Sequence, residues 1–490
     1  MTSIADPPHE PNPSVIDHAS PERERLRGNL GPTSLLLMIL AYNAPIAGAV
    51  GYISITIGYG NGLGAPLMYG LAAVMLGTFA AGFMKMARYV KEPGGFYSYI
   101  TAGLGRAVGL GGAAVAALAY FLMLAGQAPY IGLSATQMVE VTLGGPSIHW
   151  LVYAFGTVLL VGVLGYFHLD VSAKVLGALL VLEILVVAAY DVVVVAKGGA
   201  TGLTGSFMDP GNIFSGSIGL GLLFAALAFA GFEATVVFRD EVRHPERTIP
   251  LATYGFIAFV AVVYGFTAWA IIQALGSDQA VAATAENPTG AVLGTFSTFL
   301  GRFGADVATV LLNTSIFAAM LTLHNILTRY IFKLSGDGVF PRSIAKTHPR
   351  HGSPHRASMW VSCATMAAVF VSAIAGADIS VLYAQISGIG AYALFLLITV
   401  TSVAVIVYLN RNRGQGLSVW SRLIAPLIAF GGLLTLMILA TLNINLLLGV
   451  SQELGLWICV GVFLLWLLGA FYALRLKIHR PEVYRTIGRQ

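Results

Sequence analysis

From Leu35 to about residue 475 the chain is a nearly unbroken succession of apolar stretches, each at or near the length that crosses a lipid bilayer. Twelve can be delimited, at roughly 34–58, 64–87, 110–141, 149–168, 171–196, 214–238, 250–275, 291–333, 357–376, 379–409, 422–446 and 453–475. A helix needs about 20 predominantly apolar residues to cross roughly 30 Å of hydrocarbon, and in that layer its backbone groups must be satisfied internally. The fold class that follows is an all-α integral membrane protein with 12 transmembrane helices. The eighth stretch is long enough that its helix is expected to start near Gly304, after a short extracellular segment. Only 10% of the residues are charged, against roughly 25% in a soluble domain. So few charges cannot cover a water-facing surface, which excludes a soluble enzyme, a nucleic-acid-binding protein and a disordered protein. The two cysteines, Cys363 and Cys459, each lie in an apolar run and build neither a disulfide framework nor a metal cluster.

Residues 1–32 form a polar, proline-containing tail without the basic-then-apolar layout of a secretory signal, so a disordered cytoplasmic tail is expected there. With the N-terminus inside, all but Lys197 and Arg302 of the 27 lysines and arginines fall on inner segments. This is the split the positive-inside rule demands. It predicts both termini in the cytoplasm of a multi-pass plasma-membrane protein in contact with lipid. The net charge of +5 then orients the chain and marks no nucleic-acid partner. All loops are short; the longest, between crossings 8 and 9, has no apolar periodicity of its own. Whatever the protein does is expected to happen inside the bilayer.

Two crossings carry interruptions. The first reads Ala41-Tyr42-Asn43-Ala44-Pro45-Ile46-Ala47-Gly48-Ala49-Val50-Gly51, and Pro45 both removes a backbone donor and clashes with the preceding turn. The sixth reads Ala228-Phe229-Ala230-Gly231-Phe232-Glu233, a glycine and a carboxylate well inside the hydrocarbon. Crossings 1 and 6 are five apart and run in opposite directions. If crossings 1–5 and 6–10 are repeats, the breaks occupy matched positions in halves related by an inverted axis, the pattern of a carrier's substrate site. The break in crossing 1 is expected to expose amides near Ala47, Gly48 and Ala49 at a positive helix end, suited to a carboxylate. Carbonyls released near Phe229 and Ala230, beside Gly231, suit an ammonium. A small zwitterion or amine fits between them. The competing reading is an ordinary proline kink plus a packing glycine.

Beyond these breaks the chain resembles the amino acid–polyamine–organocation transporter superfamily over nearly all of residues 33–480. Glu92-Pro93-Gly94-Gly95-Phe96-Tyr97-Ser98-Tyr99 is similar to its Pro-x-Gly-Gly-x-Tyr segment. Gly231-Phe232-Glu233, followed by Arg239-Asp240-Glu241-Val242-Arg243-His244-Pro245-Glu246-Arg247-Thr248-Ile249-Pro250, resembles its Gly-Phe-Glu…Glu-x-x-x-Pro-x-Arg-x-Ile-Pro pattern. Arg329-Tyr330…Asp337-Gly338-Val339-Phe340-Pro341, running on to His348-Pro349-Arg350, looks like its Arg…Asp-Gly-x-x-Pro stretch. The resemblance implies a five-plus-five inverted repeat of the leucine-transporter (LeuT) type with discontinuous helices 1 and 6. It implies import or exchange of amino acids or organic amines, by symport or antiport. The expected organisation is a tail (1–32), a ten-helix core (33–409, with repeats 33–196 and 212–409), peripheral helices 11 and 12 (410–478) and a second cytoplasmic tail (479–490). Two departures stand out. Asn43 to Gly48 reads Asn-Ala-Pro-Ile-Ala-Gly where many members carry Gly-Ser-Gly-Ile, and Glu183 falls where several members have a lysine that replaces sodium.

Glu183 lies near mid-membrane, where an ionised carboxylate has to be protonated, paired or facing water. It is either a proton-coupling site, favouring H+ over Na+, or a permanently protonated group tied to a neighbouring helix. Glu233 is expected to hydrogen-bond freed backbone or link moving helices, and Phe229 to gate the site or simply pack. Gln127, beside Pro129 and Tyr130, is expected to face the site, as are Tyr42 and Asn43. Asn313, Ser315, Gln385 and Ser387 are weaker candidates; His324, beside Asn325, reads as a helix bridge. Asp170 and Lys174 are explained by snorkelling, while Glu140, Asp191, Asp306, Asp378 and Glu453 fall near the outer boundary without a special role. No HExxH, GxSxG or Walker A motif is present, so neither enzymatic chemistry, a metal nor a cofactor is expected. A continuous polar lining, which a channel needs, is not visible either.

Overall fold

The computed structural model describes residues 29–90, 94–167, 169–376, 378–412 and 418–488, without the side chains of 169–176 and 380. Residues 1–28 of the polar tail, the Glu92-Pro93 end of the first motif and the side chains of Asp170 and Lys174 lie outside the described residues. Helix α1 (Pro32–Asn43) starts on a proline, whose missing N–H is no loss in a first turn. It stops because of the next proline. Ala44 takes a left-handed conformation, φ 51° and ψ 83°, since the Pro45 ring disfavours α geometry in the residue before it. The helix resumes as α2 (Pro45–Gly48) and continues in wide turns to Gly60 and Gly62, where the chain bends into α3 (Ala65–Tyr89).

The remaining principal helices are α4 (Phe96–Leu104), α5 (Arg106–Gln137), α6 (Trp150–Phe167), α7 (Leu169–Lys197), α8 (Ile218–Leu227), α9 (Pro245–Leu275), α10 (Pro288–Gly336), α11 (His355–Ile374), α12 (Ile379–Arg411), α13 (Ala425–Leu442), α14 (Gln452–His479) and α15 (Pro481–Thr486). Among the described residues, eleven helical stretches are long and apolar enough to cross a membrane, with the shorter α1 beside them. The count differs from the twelve predicted crossings because Pro45–Tyr89 is one helical run of 45 residues. It holds the second half of predicted crossing 1 and all of crossing 2. Gly301, at φ 75° and ψ 178°, separates an outer piece of α10 from its long inner part, close to the expected start at Gly304. No strand occurs among the described residues; Leu30 and Val242 form an isolated bridge.

Burial sorts the helices. Only 22% of the α14 window and 17% of the α6 window is buried, against 78% for Ile218–Val236 and 72% for Pro288–Gly336. Apolar helices with that much bare apolar surface are solvated by lipid. The interrupted segment is the most enclosed, as it must be: open backbone survives at membrane depth only inside protein or along a cavity. Helices α1, α3, α8 and α9 pack together on one side; α5, α6, α10 and α11 pack together on the other. Helix α5 is central because small residues let its neighbours approach. Gly390 of α12 lies against Ala119 and Met123, and Gly469 of α14 against Gly111.

At one end of the molecule a buried ion pair joins the two groups. Arg329 of α10 grips Glu241, just before α9, through Nε at 2.6 Å and Nη2 at 2.8 Å, both side chains being 5% exposed. Its Nη1 donates to the Asn325 carbonyl at 2.8 Å, and its guanidinium lies 4.5 Å from the centre of the Phe238 ring. Leu30 donates to the Glu241 carbonyl at 2.9 Å, so the start of the described chain is strapped to the same point. Removing one partner of such a pair strands the other charge, at a cost of roughly 3–5 kcal/mol, whereas removing both is close to neutral. Arg329→Met and Glu241→Met should each lower the denaturation midpoint of detergent-solubilised protein. The double variant should regain most of the loss; additive losses would show that the pair is not a coupled unit.

Candidate functional site

The two interruptions meet. Helix α8 ends at Leu227, and Ala228, Phe229 and Ala230 close tight turns onto Ala225, Ala226 and Leu227, each with an N···O distance of 3.1 Å. Gly231 follows at φ 112°, a conformation that favours glycine. A Cβ there would also collide with the Tyr42 ring, so the position is glycine for two separate reasons. A short 3₁₀ segment, Phe232–Val236, carries the chain on. The Asn43 carboxamide spans both breaks: its Nδ2 donates to the Ala228 carbonyl, and its Oδ1 accepts from the Tyr264 hydroxyl of α9. Gly48 lets Tyr264 come so close, since a Cβ at Gly48 would land on the phenol.

Both buried glutamates are committed. Glu233 accepts from the Gly231 amide and from the Tyr120 hydroxyl of α5, each at 2.9 Å. It therefore ties the loosened backbone of the sixth predicted crossing to α5. Glu183 of α7 is 1% exposed, accepts from the Ser315 hydroxyl of α10, and lies near the Ile46 backbone amide. That amide belongs to the first turn of α2, where a helix leaves its N–H groups unpaired and carries positive partial charge.

The expected carboxylate cradle needs correction. The Gly48 amide donates to the Ala44 carbonyl at 2.7 Å, and the Ala49 amide to the carbonyls of Pro45 and Ile46. Because the helix restarts at Pro45, its unpaired turn comes earlier than expected. Ala47 is the part of the predicted set that remains in that turn. Ala47 and Ala230 are partly exposed although the residues flanking the breaks are buried. Phe229 is completely buried. Gln127 is partly buried, and its Oε1 has no hydrogen-bond partner.

Tyrosines surround this place. The Tyr52 phenol, one helical turn beyond α2, lies within electrostatic reach of those of Tyr42, Tyr69, Tyr130, Tyr264 and Tyr383. Tyr130 and Tyr383 stack with ring centres 4.4 Å apart and planes at 13°. Tyr69 meets Tyr264 edge to face at 6.0 Å.

Other candidates separate cleanly. His324 bonds Ser358 of α11 at 2.9 Å, a helix bridge as expected. Asn313 donates to the Thr309 carbonyl of its own helix at 3.0 Å. Gln385 is partly buried, and Ser387 lies against Gly126 of α5. Asp191, expected near the outer boundary, is 5% exposed and accepts from Thr267 of α9 at 2.8 Å. A groove of about 280 Å³ lined by Thr142, Leu143, Leu182, Asp306, Val307, Val310 and Leu311 lies away from the breaks. No metal-binding group occurs among the described residues. Sequence reasoning missed Tyr264, Tyr120 and Tyr52. Each is a phenol in an otherwise apolar helix, a signal too common in a chain with 20 tyrosines to single them out.

Interrupted helices that meet deep inside a lipid-solvated bundle, with polar side chains converging on the breaks, define a multi-pass membrane transporter. A family model described as "Amino acid permease" matches residues 32–472, and the chain belongs to that family. It is 28% identical to the branched-chain amino acid permease BcaP of Bacillus subtilis over 249 residues, 50% of each chain. It is 30% identical over 159 residues to uncharacterized transporters of Mycobacterium bovis and Mycobacterium tuberculosis, covering 32% of this chain and 34% of theirs. The matched region thus spans half of BcaP and about a third of the mycobacterial proteins.

Gly48→Ala should displace Tyr264 and, through it, Asn43, cutting uptake by about tenfold or more, roughly 1.4 kcal/mol of lost transition-state stabilisation. Gly48→Ala combined with Tyr264→Ala removes the collision. Uptake assays that rank the double variant below both single ones would sink the idea that Gly48 serves the phenol.

Proposed function

We propose that this permease is a secondary active carrier of amino acids or closely related amines, working by alternating access. The observation that carries the proposal is the Asn43 bridge, which fastens the break after α1 to the Ala228 carbonyl at the end of α8. Around it the Ala47 turn of α2 offers an amide to a substrate carboxylate. The carbonyl end of α8, at Ala228, Phe229 and Ala230, offers acceptors to an ammonium, as does Gln127. The name of the relative BcaP supports amino acids as the substrate class.

The working frame is a twelve-crossing, five-plus-five inverted repeat in the plasma membrane with both termini cytoplasmic. The packing of α1, α3, α8 and α9 against one another, and of α5, α6, α10 and α11 against one another, supports a moving bundle and a scaffold. Helices α7 and α12 would gate between them. The Arg329–Glu241 pair joins the two groups at one end and has to part for that end to open. Asn43, Gly231 and Glu233 keep the two breaks in register during the movement.

Glu183 couples transport to protons in this reading. Its carboxylate accepts from Ser315 of α10 and lies near the Ile46 amide, where the interrupted helix restarts as α2. Movement of α2 withdraws the Ile46 amide, and a proton takes its place on the oxygen, because a bare carboxylate is not tolerated at that depth. In proteoliposomes, an inward-directed proton gradient should drive saturable accumulation of a labelled amino acid. Glu183→Gln should abolish accumulation, by about tenfold or more, while leaving exchange across equal pH intact. Accumulation by that variant at the wild-type level would remove the coupling role; linear, unsaturable flux would point to a channel, and conversion of substrate to a new product to an enzyme.

A further inference from the structure

We infer that residues 483–488 form a clasp that holds the Arg329–Glu241 end shut, and that releasing it speeds opening at that end. The inference rests on the alternating-access reading above and gives it a control element.

The clasp has a built seat. After α14 the chain turns at Arg480 and forms α15, whose Val483 packs beside Gly338. Next to it lies the buried pair of Tyr97, in the first turn of α4, and Asp337, the residue that follows α10. The Tyr97 hydroxyl donates to Asp337 Oδ2 at 2.9 Å. The Gly488 amide donates to that same hydroxyl at 2.6 Å and to the same carboxylate oxygen at 3.2 Å. The Thr486 hydroxyl donates to the Asp337 carbonyl at 2.7 Å, and Ile487 is fully buried. Gly488 takes φ 55°, and a Cβ there would stand 2.7 Å from the Thr101 side chain, so a larger residue seats only with strain. Arg106, at the start of α5, places its guanidinium 5.7 Å from the centre of the Tyr484 ring. Withdrawal of the segment takes a donor from a buried carboxylate, which favours the seated form.

What the clasp steadies is the first turn of α4. That turn has no side-chain cap. Its Phe96 amide donates to the Tyr330 hydroxyl at 3.2 Å, and its Tyr97 is fixed by the clasp. Gly95, at φ 53°, lies where a Cβ would come within 2.7 Å of the Tyr330 hydroxyl and 3.0 Å of Val237. Tyr330 is the neighbour of Arg329, and Val237 is the neighbour of Phe238, whose ring covers the Arg329 guanidinium. The start of α4 therefore borders the ion pair on both flanks. Opening this end draws Glu241 and Val237 away from Arg329 and Tyr330, and α3, packed on α8 and α9, moves with them. Tyr97 comes shortly after α3 ends at Tyr89, so a fixed Tyr97 limits that travel. With the segment unseated, the uncapped turn unwinds and lengthens the connection. A contact made best in the closed form favours that form, and closure favours the contact by the same factor.

Two measurements on the full chain test the inference, both in a Cys363→Ala, Cys459→Ala background. Ile487→Cys places a thiol in the seat, where a water-soluble maleimide reaches it only when the segment is unseated. Adding Arg329→Met with Glu241→Met removes the ion pair and should speed that labelling by about fivefold or more, as reciprocal coupling requires. Labelling rates that agree within about twofold would overturn the inference. In proteoliposomes, Gly488→Val should raise exchange of a labelled amino-acid mixture by about threefold or more, while lowering the denaturation midpoint. Thr486→Ala, which removes one bond to Asp337, gives the same reading should Gly488→Val not fold. A folded variant that exchanges at or below the parent rate would also overturn the inference, since the segment would then only stabilise the fold. Absence of exchange by the parent protein would remove the carrier reading, and the labelling result alone would then decide whether segment and ion pair are coupled.

Discussion

Peptide groups cannot be left unpaired in hydrocarbon, and this molecule breaks two helices there. Every notable feature of its interior answers that problem. Glu183 lies beside the gap before α2, while Asn43 closes the end of α8 on Ala228 and Glu233 the Gly231 amide. Each of those side chains has a partner on another helix: Ser315, Tyr264 and Tyr120 respectively. Repairing the backbone and cross-linking the bundle are therefore the same act. A movement that disturbs one break is felt through polar contacts at the other.

The two ends of the interior are held with different strength. Tyr120 rests against Tyr330, the neighbour of Arg329, and Tyr130 lies about 15 Å further along α5. At the first level sits a buried, bidentate ion pair beneath Phe238; at the second, a ring stack worth roughly 0.5–1.5 kcal/mol beyond its burial. Separating the charges exposes two desolvated groups that need water or new partners, whereas separating the rings exposes mostly apolar surface. Separating the Arg329–Glu241 pair is the more costly of the two.

Much of this was legible in the chain. Apolar runs of spanning length announce a helical membrane protein, and Pro45 and the Ala228–Glu233 stretch announce interruptions, because both signals are local. Glu183 and Glu233 stood out as carboxylates at a depth where none is idle. The prediction failed where a partner had to be known. Nothing nearby in sequence indicates that Asp191 meets Thr267. The amides of Gly48 and Ala49 looked free because one cannot see from composition that the helix restarts at Pro45. Phe229 was open to two readings, gate or packing, because burial is a property of the neighbours and not of phenylalanine.

What the sequence alone determined is the family, the run of membrane-length helices and the two positions at which they had to break, since proline geometry and hydropathy act within a few residues. What only the tertiary structure decided is who repairs each break. Asn43 finds Ala228 across 185 positions and Tyr264 across 221, and Glu183 finds Ser315 across 132. Those pairings come from the packing of α1, α7, α8, α9 and α10 around one point, where the low dielectric makes each unsatisfied polar group costly enough to select its partner.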